Sequence, residues 1–193
     1  MENLTEINTK SEAKDRLNAW VAISVALLAS FMAVTKVKDD NIVQAMLQAK
    51  SDAVDTWGEY QAKRIKQHLT ELGRTQALAF RATVSASSAA QFEKQAQDYE
   101  AEIKRYQTEE TDLQKKAKDY EARYDALNFR DDQFDLSDAA LSVALAMLAI
   151  TALTGKRWLL WLSWLFAVFG LVMGIAGLAG LNLHPNWLSN LLS

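Results

Sequence analysis

The chain has no cysteine, one proline and seven glycines in 193 residues, and each scarcity removes options. Without cysteine there can be no disulfide and no thiolate metal site. Its only histidines, His68 and His184, fall in segments of different character, so neither a histidine metal cluster nor a His-based catalytic triad can assemble within one chain. No GxxxxGK[ST] phosphate loop occurs, and no glycine-rich dinucleotide fingerprint follows a strand. No basic patch stands out beyond Lys63, Arg64 and Lys66, and the formal net charge is −3, which argues against a nucleic-acid partner. From Arg74 to Thr154 there is neither glycine nor proline. An uninterrupted helical stretch of that length is foreign to a soluble globule and normal for a coiled coil rooted in a membrane.

What is abundant is apolar residues, at half of the chain, concentrated near the two ends. Residues 1–16 form a polar lead with Lys10, Lys14 and Arg16. An uncharged run from Leu17 to Val34 follows, close to the roughly 20 residues a helix needs to cross a bilayer core. Residues 17–36 are therefore read as a first transmembrane helix. A secretory signal is the rival, but the run is long for one and no A-x-A cleavage site precedes Lys36. A second apolar run places a span at 138–154, a basic loop occupies 155–157, and a third span covers 158–183. Trp158, Trp161 and Trp164 open the third span, where indoles favour the membrane interface. The tail at 184–193, with Pro185, Trp187, Leu188, Leu191 and Leu192, has the spacing of a short interfacial helix.

Between the first two spans, residues 37–137 are highly charged. Phe92, Ala96, Tyr99, Ile103, Tyr106, Leu113, Ala117, Tyr120, Tyr124 and Leu127 recur in steps of four and three, with Glu110 the one acidic residue in the row. A repeat of seven keeps one stripe of a helix against another helix. Acid-first pairs such as Glu100 with Lys104 and Asp112 with Lys116 keep the outer face wet. Ile42, Met46, Ala49, Ala53, Trp57 and Tyr60 give the first arm the same habit, and Ile65, Leu69 and Leu72 resume it after a slip of one residue. Equal arms between two spans require a turn near Ala86, at residues 83–89, where Thr83, Ser85, Ser87 and Ser88 cluster. Gly73 is then a kink. With that turn Glu109 and Glu110 face Lys63 and Arg64.

The string WGEYQAKRIKQHLTEL around Trp57, Tyr60 and Lys63, followed by a tyrosine-rich charged helix and two apolar runs, resembles a group of uncharacterised bacterial membrane proteins classed as a domain of unknown function. The resemblance implies the same three-span layout and supplies no activity.

The fold expected is thus all-α: an integral membrane protein with a long antiparallel helical hairpin between its first and second spans. Basic residues before the first span and in the 155–157 loop place the N-terminus in the cytoplasm and the hairpin outside; with the bacterial origin that the resemblance implies, the membrane is the inner one and the hairpin is periplasmic. No catalytic, cofactor or metal residues are expected, and no span carries an ionisable residue in its interior, which disfavours transport. The candidate residues are those of helix packing. Ala22, Ala26, Ala29 and Ala33 form one face of the first span and are expected to meet Ala139, Ser142, Ala146 and Ala149 of the second. Gly170, Gly174 and Gly177 can join two copies or dock the third span on its own chain. Trp57, Tyr60, Lys63, Arg64, Tyr99, Tyr106, Glu110, Tyr120 and Tyr124 line the arms, where a tyrosine buries area and keeps a polar tip for a partner. The expected role is a scaffold, self-associated or serving as an accessory subunit of a larger membrane complex. A small channel or transporter component is the alternative.

Overall fold

A computed structural model describes residues 2–181 and Leu183, with the side chains of Glu12, residues 14–181 and Leu183. The expected interfacial tail at 184–193 lies outside the described residues. Among those described the chain is all helix: α1 (Glu2–Arg81), α2 (Ala86–Thr154) and α3 (Arg157–Ala179). All three are long and apolar enough to cross a membrane. At 23 residues α3 rises about 35 Å, matched to a hydrocarbon core of about 30 Å.

Residues divide into two compact units, Met1–Ala45 with Ala126–Ser193, and Met46–Asp125. In the first, α1, α2 and α3 pack around Leu17, Val21, Leu28, Leu141, Ala144, Leu148, Leu160 and Ala167. Thr151 and Ser163 are buried among apolar neighbours and return their hydroxyls to the carbonyls of Met147 and Leu159, both at 2.8 Å. Polar links between helices include Ser137 Oγ to the Gly170 carbonyl at 2.8 Å and Trp164 Nε1 to Ser24 Oγ at 3.1 Å.

The expected meeting of alanine faces is corrected. Ala22, Ala26, Ala29 and Ala33 are all exposed, as are Ala139, Ser142, Ala146 and Ala149. The inward positions are Val21, Leu28 and Phe31 on α1 and Ala140, Leu141, Ala144 and Leu148 on α2. Three helices around one axis leave a central space that large side chains must fill. Close approach is supplied by α3, whose glycines receive those side chains.

In the second unit α1 and α2 touch through Trp57 with Glu121, Lys63 with Glu109 and Arg74 with Glu100. α1 ends at Arg81 and α2 begins at Ala86. Between them, Thr83 N–H and Oγ1 both donate to the Phe80 carbonyl, at 2.9 and 3.0 Å, and the Ser85 carbonyl accepts from Ser88 and Ala89. The Phe80 and Phe92 rings meet at 5.7 Å across the turn. Gly73 receives the Tyr99 ring, whose nearest atom would lie 3.1 Å from an added Cβ. Gly73 is thus a packing position inside an unbroken α1.

Candidate functional site

Three places in the structure hold residues arranged for more than plain helix packing. The first is the glycine face of α3. Gly170, Gly174 and Gly177 are all buried. A Cβ at Gly170 would come within 2.7 Å of Leu141 Cγ and 3.1 Å of the Ser137 carbonyl. At Gly174 it would come within 2.7 Å of both Phe31 and Ser137, and at Gly177 within 2.9 Å of Phe134. Of the two uses open to this face in the sequence, the geometry has it docking α3 on its own chain.

The end of α3 is held by α2. Gly180 takes a left-handed φ of 67° and its N–H returns to Ala176, a conformation that suits glycine at a helix C-terminus. Arg130 donates from Nη2 to the Gly177 carbonyl at 2.9 Å, placing a cation against the negative end of the helix dipole. Gln133, fully buried, donates from Nε2 to the carbonyls of Leu181 and Leu183, both at 2.7 Å. No sequence signal pointed to Gln133, because its partners are backbone atoms about 50 residues away. Gln133→Leu is expected to leave these carbonyls unsatisfied at a cost of about 1–3 kcal/mol. Faster amide exchange at 177–181, with the α1 part of the unit unchanged, is the measurement that checks it.

The second place is a group of carboxylates facing one another between α1 and α2. Asp39 is only 4% exposed; its Oδ2 is bound by Lys36 at 2.8 Å, and its buried Oδ1 has no donor among ionised neighbours. A proton on Asp131 would let it hydrogen-bond to Asp39 across the two helices. Burial, that hydrogen bond, and the nearby charges of Asp135, Asp39 and Asp132 push the Asp131 carboxyl up to about 6. Burial and Asp39 also raise Asp135, while Lys36 opposes the rise. Among the described residues no cluster of histidines and carboxylates could hold a metal ion.

The third place is the helix pair of Met46–Asp125. Facing positions on α2 are closed by Ala96 and Ala117, both buried, with Phe92, Tyr99, Ile103, Tyr106, Leu113, Tyr120 and Tyr124 half-buried beside them. Trp57 Nε1 donates to Glu121 at 2.9 Å and stands edge-on to Tyr60. Lys50 lies over the Tyr124 ring and Lys63 over Tyr106, at 5.1 and 5.7 Å, while Lys116 lies over Tyr120. Ion pairs cross the two helices at Arg81 with Glu93, Arg74 with Glu100 and Lys63 with Glu109.

Here the expected pairing of Glu110 is corrected. Lys63 reaches Glu109 at 2.5 Å and, chiefly through its hydrogen bond, holds that carboxyl below the usual range. Neighbouring residues on a helix differ by about 100°, so only one of two adjacent glutamates can meet a given lysine. Glu110 points instead into a cavity of about 260 Å³ lined by Tyr60, Gln67, Gln107, Thr111 and Gln114. Arg64 is exposed on α1 with no partner across the pair among the described residues.

The first arm differs from expectation as well. Inward positions continue from Ala49, Ala53 and Thr56 through Lys63, Gln67, Thr70 and Ala77. Ile65, Leu69 and Leu72 lie on the opposite face, 61%, 63% and 54% exposed, and Leu47 and Val54 join them at 61% and 60%. There was no slip of register. With Gly58 and smaller residues at Ser51 and Ala62, these form a second stripe from Leu47 to Leu72 in steps of four and three, with one repeated four between Val54 and Ala62. All of its positions are exposed.

No curated protein and no solved structure matches the chain. A family model does, over residues 17–180, and so the chain belongs to the family described as a domain of unknown function, DUF4337.

Proposed function

We propose that the protein is a membrane-anchored coiled-coil scaffold, whose helical arm at Met46–Asp125 stands in water and docks another helix through the outer face of α1. The observation that carries this reading is the second apolar stripe. Leu47, Val54, Ile65, Leu69 and Leu72 are exposed in a segment rich in Lys, Glu and Asp, where lipid cannot cover them. A heptad-like row without a facing helix matches what a coiled coil of higher order needs. The partner is a second copy or a subunit of a larger membrane complex. The three candidate spans carry no charge in their interiors, which favours anchoring over conduction. By the basic residues at 10–16 and 155–157, the N-terminus is cytoplasmic and the arm periplasmic in a bacterial inner membrane.

Ile65→Asp/Leu69→Asp is expected to abolish the association while leaving the helix pair folded, because both side chains point away from α2. Native mass in detergent checks the homo-oligomer. Recovery of a fixed-stoichiometry partner from native membranes checks the subunit. Loss of either in the variant supports the scaffold. A parent that is monomeric, recovers no partner and conducts ions in liposomes would sink it in favour of a channel component.

A further inference from the structure

In the three-helix unit, a cavity of about 360 Å³ opens between α1 and α3. α1 contributes Arg16, Leu17 and Trp20, and α3 contributes Arg157, Leu160, Trp161 and Trp164. Arg16 is the last charge before the first apolar run, and Arg157 is the first residue of α3. Both guanidinium groups therefore stand at a boundary between polar and apolar chain. Among the described residues no ion pair to either is present, and the cavity is lined by two like charges. Both side chains are exposed, where water screens their repulsion, and an anion entering the cavity would meet two cations at once.

The rest of the wall is fixed and apolar. Trp164 is held by its bond to Ser24 and stands edge-on to Trp161, at 5.4 Å between centroids, and to Trp20, at 6.1 Å. Trp20 and Trp161 remain 56% and 68% exposed, as suits indoles at a membrane interface. Cations at one side and indoles with leucines at the other define an amphipathic anion. The volume lies near the lower end of ligand clefts, about 300–1,000 Å³, which suits a headgroup with its chains left outside. Guanidinium forks match phosphate oxygens in pairs, whereas a zwitterionic headgroup would bring its own cation toward two arginines.

We propose that this cavity binds the phosphodiester headgroup of an anionic phospholipid, with Arg16 and Arg157 on the phosphate and Trp20, Trp161 and Trp164 around the glycerol and the first methylenes. The bound lipid ties the start of α3 to the start of the α1 span.

The test uses the purified full chain in neutral detergent and reads tryptophan emission, titrated with phosphatidylglycerol or phosphatidylcholine carrying brominated acyl chains. Each basic residue near an anionic lipid contributes about a five-fold preference, so the parent is expected to favour phosphatidylglycerol about 25-fold. Arg16→Gln/Arg157→Gln should bring the two lipids to parity at unchanged helix content by circular dichroism. Arg16→Lys/Arg157→Lys keeps both charges and should keep most of the preference, which leaves the proposal testable even where the neutral pair fails to fold. Equal quenching by the two lipids in the parent would overturn the site, as would an undiminished preference in the glutamine pair. Inorganic phosphate at millimolar concentration should not relieve the quenching; if it does, the cavity takes a free anion and the lipid assignment fails.

Discussion

Gly174→Ile is expected to unseat α3 from its own chain and to cause the largest stability loss of any single change considered. An added Cβ alone would lie 2.7 Å from the Phe31 ring edge and from Ser137 Oγ, and isoleucine adds three more carbons in the same direction. Overpacking of this kind costs about 1–3 kcal/mol for a methyl group, and more for a branched side chain. Gly170→Ala should cost nearly as much as any alanine variant can, because one of its neighbours is the Ser137 carbonyl, which is backbone and cannot swing aside. The same change also threatens the Ser137 to Gly170 hydrogen bond. For a chain of this size each kcal/mol lowers Tm by about 2–4 °C, so thermal unfolding in detergent resolves the series. Gly58→Ala is the control. Nothing lies within 4 Å of its added Cβ, and it should stabilise the helix by about 0.5–1 kcal/mol. Equal Tm for Gly174→Ile and the parent would mean that α3 does not pack as described. Native mass should not follow the loss, since this face is turned inward.

Asp131→Asn is expected to change how stability depends on pH. The folded-state value of about 6 lies above the ordinary 3.8, so the folded chain binds this proton more tightly than the unfolded chain does. Its contribution is therefore full below about pH 4 and is lost as pH rises through about 6. For a group shut off from water this difference would correspond to about 3 kcal/mol; Asp131 retains water contact, and about 1 kcal/mol is expected. The groups that act on it are Asp39 from α1 and Asp132 and Asp135 from α2, with Lys36 and Asp138 acting on Asp135 in turn, while α3 offers no ionisable residue beyond Arg157. An asparagine amide can donate to Asp39 Oδ1 at any pH. The variant should match the parent near pH 4.5 and exceed it by about 2–4 °C in Tm at pH 7.5. Glu71 and Glu109, whose carboxyls are held low, titrate in the opposite sense, so the informative quantity is the difference between variant and parent. Parallel pH curves for the two would show that Asp39 and Asp131 share no proton.

The helices and the apolar runs were legible in the sequence because both depend on local composition. The absence of glycine and proline from Arg74 to Thr154 leaves little to stop α2, and the repeat of seven from Phe92 to Leu127 marks the side of α2 that the structure buries against α1. Rotational phase is a different matter. Inside an apolar run every face is apolar, so nothing in Leu17–Val34 distinguishes Val21, which is buried, from Ala22, which is exposed. Only the arrival of α3, with glycines opposite Phe31, Leu141 and Phe134, decides which face turns inward. In the first arm the inward positions past Tyr60 are Lys63, Gln67 and Thr70, so the apolar signal crosses to Ile65, Leu69 and Leu72 on the far side. Periodicity reports that a stripe exists and carries no information on what faces it. Whether Lys63 meets Glu109 or Glu110, that Asp39 is buried against Asp131, and that Gln133 holds carbonyls at the end of α3 all depend on helices far apart in sequence being brought together. Those contacts were decided by tertiary packing alone.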